Sequence, residues 1–170
     1  MLDSSLAAVA GSTPVPPASG SADIAETVLE QVRERARADG LPYAGGISPG
    51  DAWTLISDGR AVLVDVRTAE ERKFVGQVPA GLHVAWATGT SMSRNPRFVK
   101  ELEAKVRKDV LVVFLCRSGK RSALAAEAAA KAGFTQAFNI LEGFEGEIDA
   151  EQRRGGLGGW RFHGLPWIQD

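Results

Sequence analysis

One cysteine in 170 residues leaves no partner for an intramolecular disulfide and no material for a cysteine-rich zinc site. With only two histidines, His83 and His163, no Cys/His/Asp/Glu set has the spacing of metal ligands. Charge of either sign is not in excess: the formal net charge is −1. That gives no support for a nucleic-acid partner, which brings a basic surface. No apolar run approaches the ~18 residues that cross a membrane, so no membrane partner is expected. Gly119–Lys120 is not a phosphate-binding P-loop, because the upstream glycine and the following Ser/Thr are missing. Gly156–Gly159 follows no strand and is no dinucleotide fingerprint. A lone thiol fits a reducing compartment, and a cytoplasmic location is expected.

What is present centres on Val110–Gly133, VLVVFLCRSGKRSALAAEAAAKAG. The run Val110–Leu115 is short, apolar and rich in β-branched residues, which predicts a strand buried on both faces. The alanine-rich run Ser122–Ala132 predicts a helix stopped by Gly133. Between them lies Cys116, followed by Arg117, Ser118, Gly119, Lys120, Arg121 and Ser122. A strand that turns sharply into a helix leaves backbone N–H groups unpaired in the turn, and the helix adds partial positive charge there. Arg117, Lys120 and Arg121 add formal charge. Such a place favours a thiolate over a thiol and can cradle an anionic substrate. The residues alone also allow an inert core cysteine beside a solvated loop.

Elsewhere, strands are predicted at Ile47, Ala61–Val66, Leu82–Trp86 and Ala137–Leu141. Helices are predicted after Ser48–Pro49, after Thr68 with its capping partner Glu71, and from Asn95–Pro96 to about Val106. This alternation implies an α/β domain with a mainly parallel sheet and helices on both faces. In such sheets ligands sit beyond the carboxyl ends of the strands, where Cys116 and Arg67 fall.

At the front, residues 1–21 are rich in Ser, Ala and Pro and are expected to be a flexible tail. Leu6–Ala10 faintly resembles a signal peptide, but the start is acidic and the apolar stretch too short. Residues 22–40 form a helical extension, predicted over Asp23–Ala38 with Asp23 and Glu26 as a capping box. Ile24, Val28, Val32 and Ala36 give it a thin apolar stripe. The stripe fits a helix packed on its own domain or one that binds a protein partner. Gly40–Gly46 is a linker, and 41–170 is the main domain.

Two further stretches accompany the cysteine loop. One is Leu63–Arg67 with Glu70–Glu71 and then Gly76–Gly81; the other is the C-terminal Gly158–Gly159–Trp160 before Gly164–Leu165–Pro166. Together with CRSGKRS these resemble the rhodanese family of sulfurtransferases over about Ile47–Trp167. The resemblance implies the rhodanese-like fold, with Cys116 as the catalytic residue. Arg117–Ser122 would be its substrate-binding loop, and Asp65 and Arg67 a structural pair near the site. It implies no cofactor beyond a covalent persulfide on Cys116, a small anionic sulfur donor such as thiosulfate, and a thiol or cyanide acceptor. Gln77 stands where the family usually has His. Residues 145–156 look inserted, and 145–160 with Trp160 and Phe144 fits either a pocket wall or plain core. The competing chemistry is a cysteine phosphatase or arsenate reductase. Phosphatase loops place five residues between Cys and Arg, whereas Arg117–Lys120 make four.

Overall fold

The computed structural model describes residues 19–170. In chain order the elements are α1 (Ser19–Ala38), β1 (Gly45–Ile47), α2 (Pro49–Ser57), β2 (Val62–Asp65), α3 (Ala69–Val75), β3 (Leu82–His83), β4 (Ala87–Thr88), β5 (Ser93–Arg94), α4 (Phe98–Lys105), β6 (Val112–Leu115), α5 (Lys120–Lys131) and β7 (Ala137–Ile140). Five strands form one sheet in the order β1-β7-β6-β2-β3, and every neighbouring pair is parallel. Strands β4 and β5 make a separate antiparallel hairpin.

Helices cover both sides of the sheet, which is why β6 reads as an unbroken apolar run. Val113 and Leu115 pack with α1, α2, Phe144 and Trp160 on one face. Val112, Phe114 and Cys116 pack with α4 and α5 on the other. Helix α5 is close-packed because Ala125, Ala126 and Ala129 face the sheet. Among the described residues, no helix is long and apolar enough to cross a membrane.

Helix α1 differs from its expectation in two ways. It starts at Ser19, so Ser19–Ser21 are helical and only residues 1–18 of the expected tail lie outside the described residues, Leu6–Ala10 among them. Asp23 is therefore inside the helix, not a cap; its carbonyl accepts from the Thr27 hydroxyl at 2.9 Å. Glu26 instead binds Arg33 and Arg60 at 3.1 and 3.0 Å. The buried stripe is Ala25, Leu29, Val32 and Ala36, while Ile24 is 68% exposed. A strict four-residue repeat drifts about 40° per step around a helix, whereas alternating steps of four and three hold one face. That face lies on the domain itself, and the approach is close. A Cβ on Gly45, at φ +142°, would come within 2.5 Å of Val32 Cγ1.

Smaller differences follow tertiary context. β1 begins inside the expected linker. β3 stops at His83, and the chain beyond it turns into the unexpected β4–β5 hairpin. There the Arg94 guanidinium lies 3.6 Å from the Trp86 ring centre. Gly143, Gly146, Gly158 and Gly159 are closely packed, whereas Gly155 and Gly156 are open: a Cβ on Gly146 would lie 2.3 Å from the Gly158 carbonyl oxygen. Phe144 and Trp160 are fully buried, and Trp160 meets Trp53 edge-on at 6.0 Å. These two aromatics complete the core.

Candidate active site

Strand β6 ends at Leu115 and α5 begins at Lys120, leaving four residues for the turn. Gly119 takes φ +97° as the residue before the helix, a conformation costly for any side chain. The turn folds back on Cys116, and the Gly119 N–H donates to Cys116 Sγ at 3.1 Å. Ser122, on the first turn of α5, places its hydroxyl 3.2 Å from the same sulfur. Cys116 is 1% exposed, so the sulfur lies at the floor of the loop.

Strand β7 runs beside β6, and its residue Asn139 reaches under the loop. The Ser122 hydroxyl donates to Asn139 Oδ1 at 2.5 Å, and Asn139 Nδ2 donates to the Gly119 carbonyl at 3.1 Å. The next segment supports the loop from below. Phe144 N–H donates to the Cys116 carbonyl at 2.8 Å, and Glu145 N–H to the Arg117 carbonyl at 2.9 Å.

The three expected cations are not equivalent. Lys120 is exposed, with Nζ 3.9 Å from Glu147. Arg117 and Ser118 are half-buried in the loop. Arg121 is not free to meet a donor: its two terminal nitrogens bind both oxygens of Glu71 at 2.8 and 2.7 Å. Its charge is near Cys116 but already balanced by α3.

Asp65 and Arg67 lie at the carboxyl end of β2, one strand over. Arg67 is fully buried and doubly bonded to Asp65, with Nη2 to Oδ2 at 2.7 Å and Nε to Oδ1 at 3.0 Å. Nη2 also donates to the Gly76 carbonyl at 2.8 Å, and the guanidinium stacks 4.2 Å from the Phe144 ring centre. His83 donates from Nε2 to the Arg67 carbonyl at 2.7 Å, which ties it into the packing. Gln77 uses its backbone to pair with Ile168.

Residues 48–148 match the rhodanese-like domain. The chain belongs to the rhodanese family. A crystal structure of Rv0390 from M. tuberculosis is 48% identical, covers 75% of this chain and 99% of its own, and superposes with a TM-score of 0.69. The uncharacterized protein RP600 of Rickettsia prowazekii is 36% identical over 115 residues, which span 66% of this chain and 87% of that protein. A polysulfide-sulfur transferase homodimer from Wolinella succinogenes shares the fold at 22% identity, with a TM-score of 0.51 over 87% of this chain and 94% of its own.

Two residues of this rhodanese domain's site were not named as site residues from the sequence. Asn139 carried one signal, a polar side chain inside the apolar run Ala137–Leu141. Glu71 was legible only as a cap; nothing in the sequence pairs it with Arg121, 50 residues away. The cap itself is present, with Thr68 and Glu71 bonded reciprocally.

Glu71 therefore serves two partners. Burial opposes its ionisation, but hydrogen bonds from Arg121 and from the Thr68 backbone outweigh burial and hold its carboxyl down at about 2. A carboxyl whose folded value lies below its unfolded value stabilises the fold above the unfolded value. That contribution is lost as pH falls towards the folded value. Glu71→Gln is expected to cost about 2 kcal/mol near neutral pH. The gap in melting temperature between the two proteins should close as pH falls from about 4.5 towards 2. A gap that stays constant across that range would place the effect elsewhere than in the ion pair.

Proposed function

We propose that this rhodanese domain is a sulfurtransferase that carries one sulfur atom as a persulfide on Cys116. The observation behind the reading is the geometry at Cys116 Sγ. A lone sulfur sits at a strand-to-helix turn with a backbone N–H aimed at it from 3.1 Å. A fixed dipole of this kind stabilises a sulfur anion without reorganisation. Cys116 gives its proton to solvent, and the thiolate attacks the outer sulfur of a donor such as thiosulfate. A new S–S bond forms, the donor's S–S bond breaks, and sulfite leaves with the electron pair. A thiol or cyanide then takes the outer sulfur and Cys116 leaves as thiolate, which makes two half-reactions. No cofactor is needed, and the reducing cytoplasm keeps the thiol available.

Phosphate-ester chemistry suits the site less well. The loop is one residue shorter, and Arg121 is held by Glu71 rather than free to grip an oxyanion. The test is intact mass after incubation with thiosulfate. The native protein should gain about 32 Da, one sulfur atom, and Cys116→Ser should gain nothing. No gain in the native protein, with thiosulfate and with a polysulfide donor, would sink the sulfurtransferase reading and leave a binding module.

A further inference from the structure

Four hydrogen-bonding groups close a buried ring beneath the loop: Cys116 Sγ, the Ser122 hydroxyl, the Asn139 amide and the Gly119 peptide. Ser122 is fully buried and Asn139 is 4% exposed, so water cannot serve as a spare partner. Buried polar groups of this kind must satisfy one another.

The ring has only one consistent assignment of hydrogens. The Gly119 carbonyl can only accept, so Asn139 must turn Nδ2 towards it. The opposite orientation would bring two carbonyl oxygens to 3.1 Å. Asn139 Oδ1 therefore faces Ser122, at 2.5 Å, and it too can only accept. The single hydrogen of the Ser122 hydroxyl is thus committed to Asn139. At 3.2 Å the sulfur is then the donor: its S–H points to Ser122 Oγ. The ring as drawn fits a thiol. A persulfide has no Sγ hydrogen to give Ser122 Oγ, but its charge sits on the outer sulfur, so Sγ needs no donor and Ser122 can stay on Asn139. The ring does not fit a bare thiolate, which Ser122 can serve only by abandoning Asn139.

We propose that Asn139 is a positioning residue that holds the Ser122 hydrogen away from Cys116, so that Ser122 supports the free thiolate weakly while Asn139 is in place. This deepens the reading of Cys116 as nucleophile and rests on it. In function, the arrangement disfavours the sulfur-free anion relative to the loaded cysteine. Cys116 thiolate becomes a poorer leaving group, and sulfur is retained until an acceptor attacks.

Several elements carry charged groups around the site, and of these the charge of Arg121 acts on Cys116 directly. The groups are Arg117 in the loop, Arg121 on α5 with its partner Glu71 on α3, Asp65 and Arg67 at the end of β2, and Arg72 on α3 beside Asp65. Tyr43, before β1, lies beside Asn139; burial and the charge of Glu127 raise its hydroxyl above the ordinary value. All of these stay unchanged in the comparison below.

The experiment is the pH profile of Cys116 alkylation by iodoacetamide in four proteins: native, Ser122→Ala, Asn139→Leu and the double variant. Asn139→Leu removes the amide while keeping the branching and number of side-chain heavy atoms. It also frees the Gly119 peptide, but that effect is common to Asn139→Leu and the double variant and cancels between them. With Asn139 gone, Ser122 can give its hydrogen to the thiolate. Ser122→Ala should then slow alkylation near pH 7 roughly tenfold and move the profile to higher pH. In the native background the same change should slow it only about twofold to threefold. Equal factors in both backgrounds overturn the proposal, since a merely structural Asn139 lowers stability without altering what Ser122 does. If Asn139→Leu does not fold, Asn139→Ala replaces it in the cycle. The readout is the thiol itself. A protein that takes no sulfur from any donor, yet shows the unequal factors, would retain this inference and lose the sulfurtransferase reading.

Discussion

Arg67→Leu is expected to lower the unfolding free energy by about 4 kcal/mol, a large part of the stability of a domain this size. The loss comes from what remains. Asp65, 1% exposed, keeps its carboxylate with Arg72 as its remaining ion-pair partner among the described residues, its Nε 3.4 Å from Oδ2. Removing one partner of a buried pair strands the other charge away from water, and that penalty exceeds the worth of the pair itself. Gly76 also loses its donor, and Phe144 loses the cation stacked on its face. The double variant Asp65→Leu/Arg67→Leu removes both charges and should recover about half of the loss in urea unfolding. Recovery stays partial because Asp65 also accepts the Arg67 backbone N–H at 3.0 Å. A double variant less stable than Arg67→Leu alone would show that the stranded charge is not the main cost.

Gly143→Ala should cost about 3 kcal/mol or more and should also abolish the sulfur uptake proposed for Cys116. Gly143 has φ +65°, and a Cβ there would lie 2.5–2.6 Å from the Arg117 carbonyl carbon and oxygen and the Cys116 carbonyl oxygen. Every one of these atoms is backbone, so no side chain can swing aside. Relief requires the segment to leave the loop, which breaks the bonds from Phe144 and Glu145 N–H to those same carbonyls. The control is Gly155→Ala. Gly155 has φ +91° but nothing within 4 Å of a Cβ, so only the conformational cost of about 1 kcal/mol applies. Calorimetry separates the two stabilities, and intact mass after thiosulfate reads the loop. Equal losses in both variants would deny any role to the clash.

Much of this arrangement was legible in the chain. The β6–loop–α5 unit is encoded locally, by a β-branched apolar run, one glycine before the helix and an alanine run. Each of those features acts within a few residues. The capping box of Thr68 and Glu71 is local for the same reason. Helix α1 was legible as a helix but not in its phase, because Ile24 and Val28 offer a four-residue apolar repeat beside the Ala25, Leu29, Val32 and Ala36 face that packs. Asn139 and Glu71 were legible as residues but not as parts of the site. Their partners lie 17 to 50 residues away along the chain, at Ser122, Gly119 and Arg121. Those contacts exist only because β7 pairs with β6 and α3 faces α5. The cationic loop misled in one respect: charge can be counted from sequence, but whether Arg121 is already neutralised cannot.

The strand order carries a consequence for how the protein is made. β1, near the start of the chain, has one neighbour in the sheet, and that neighbour is β7, the last strand to be synthesised. β6 likewise waits for β7 on one side. A chain still emerging from the ribosome can assemble β2, β3 and β6, but it cannot seat α1 against a finished sheet. It also lacks Asn139 and the Gly143–Glu145 segment beneath the loop. For that interval the nascent cysteine has no floor under it, and an edge of an apolar strand lies open beside it. Domains tend to fold as units once their last strand is available. Closure of the sheet and protection of the thiol are therefore a single late event, completed only when residues 137–145 have cleared the exit tunnel.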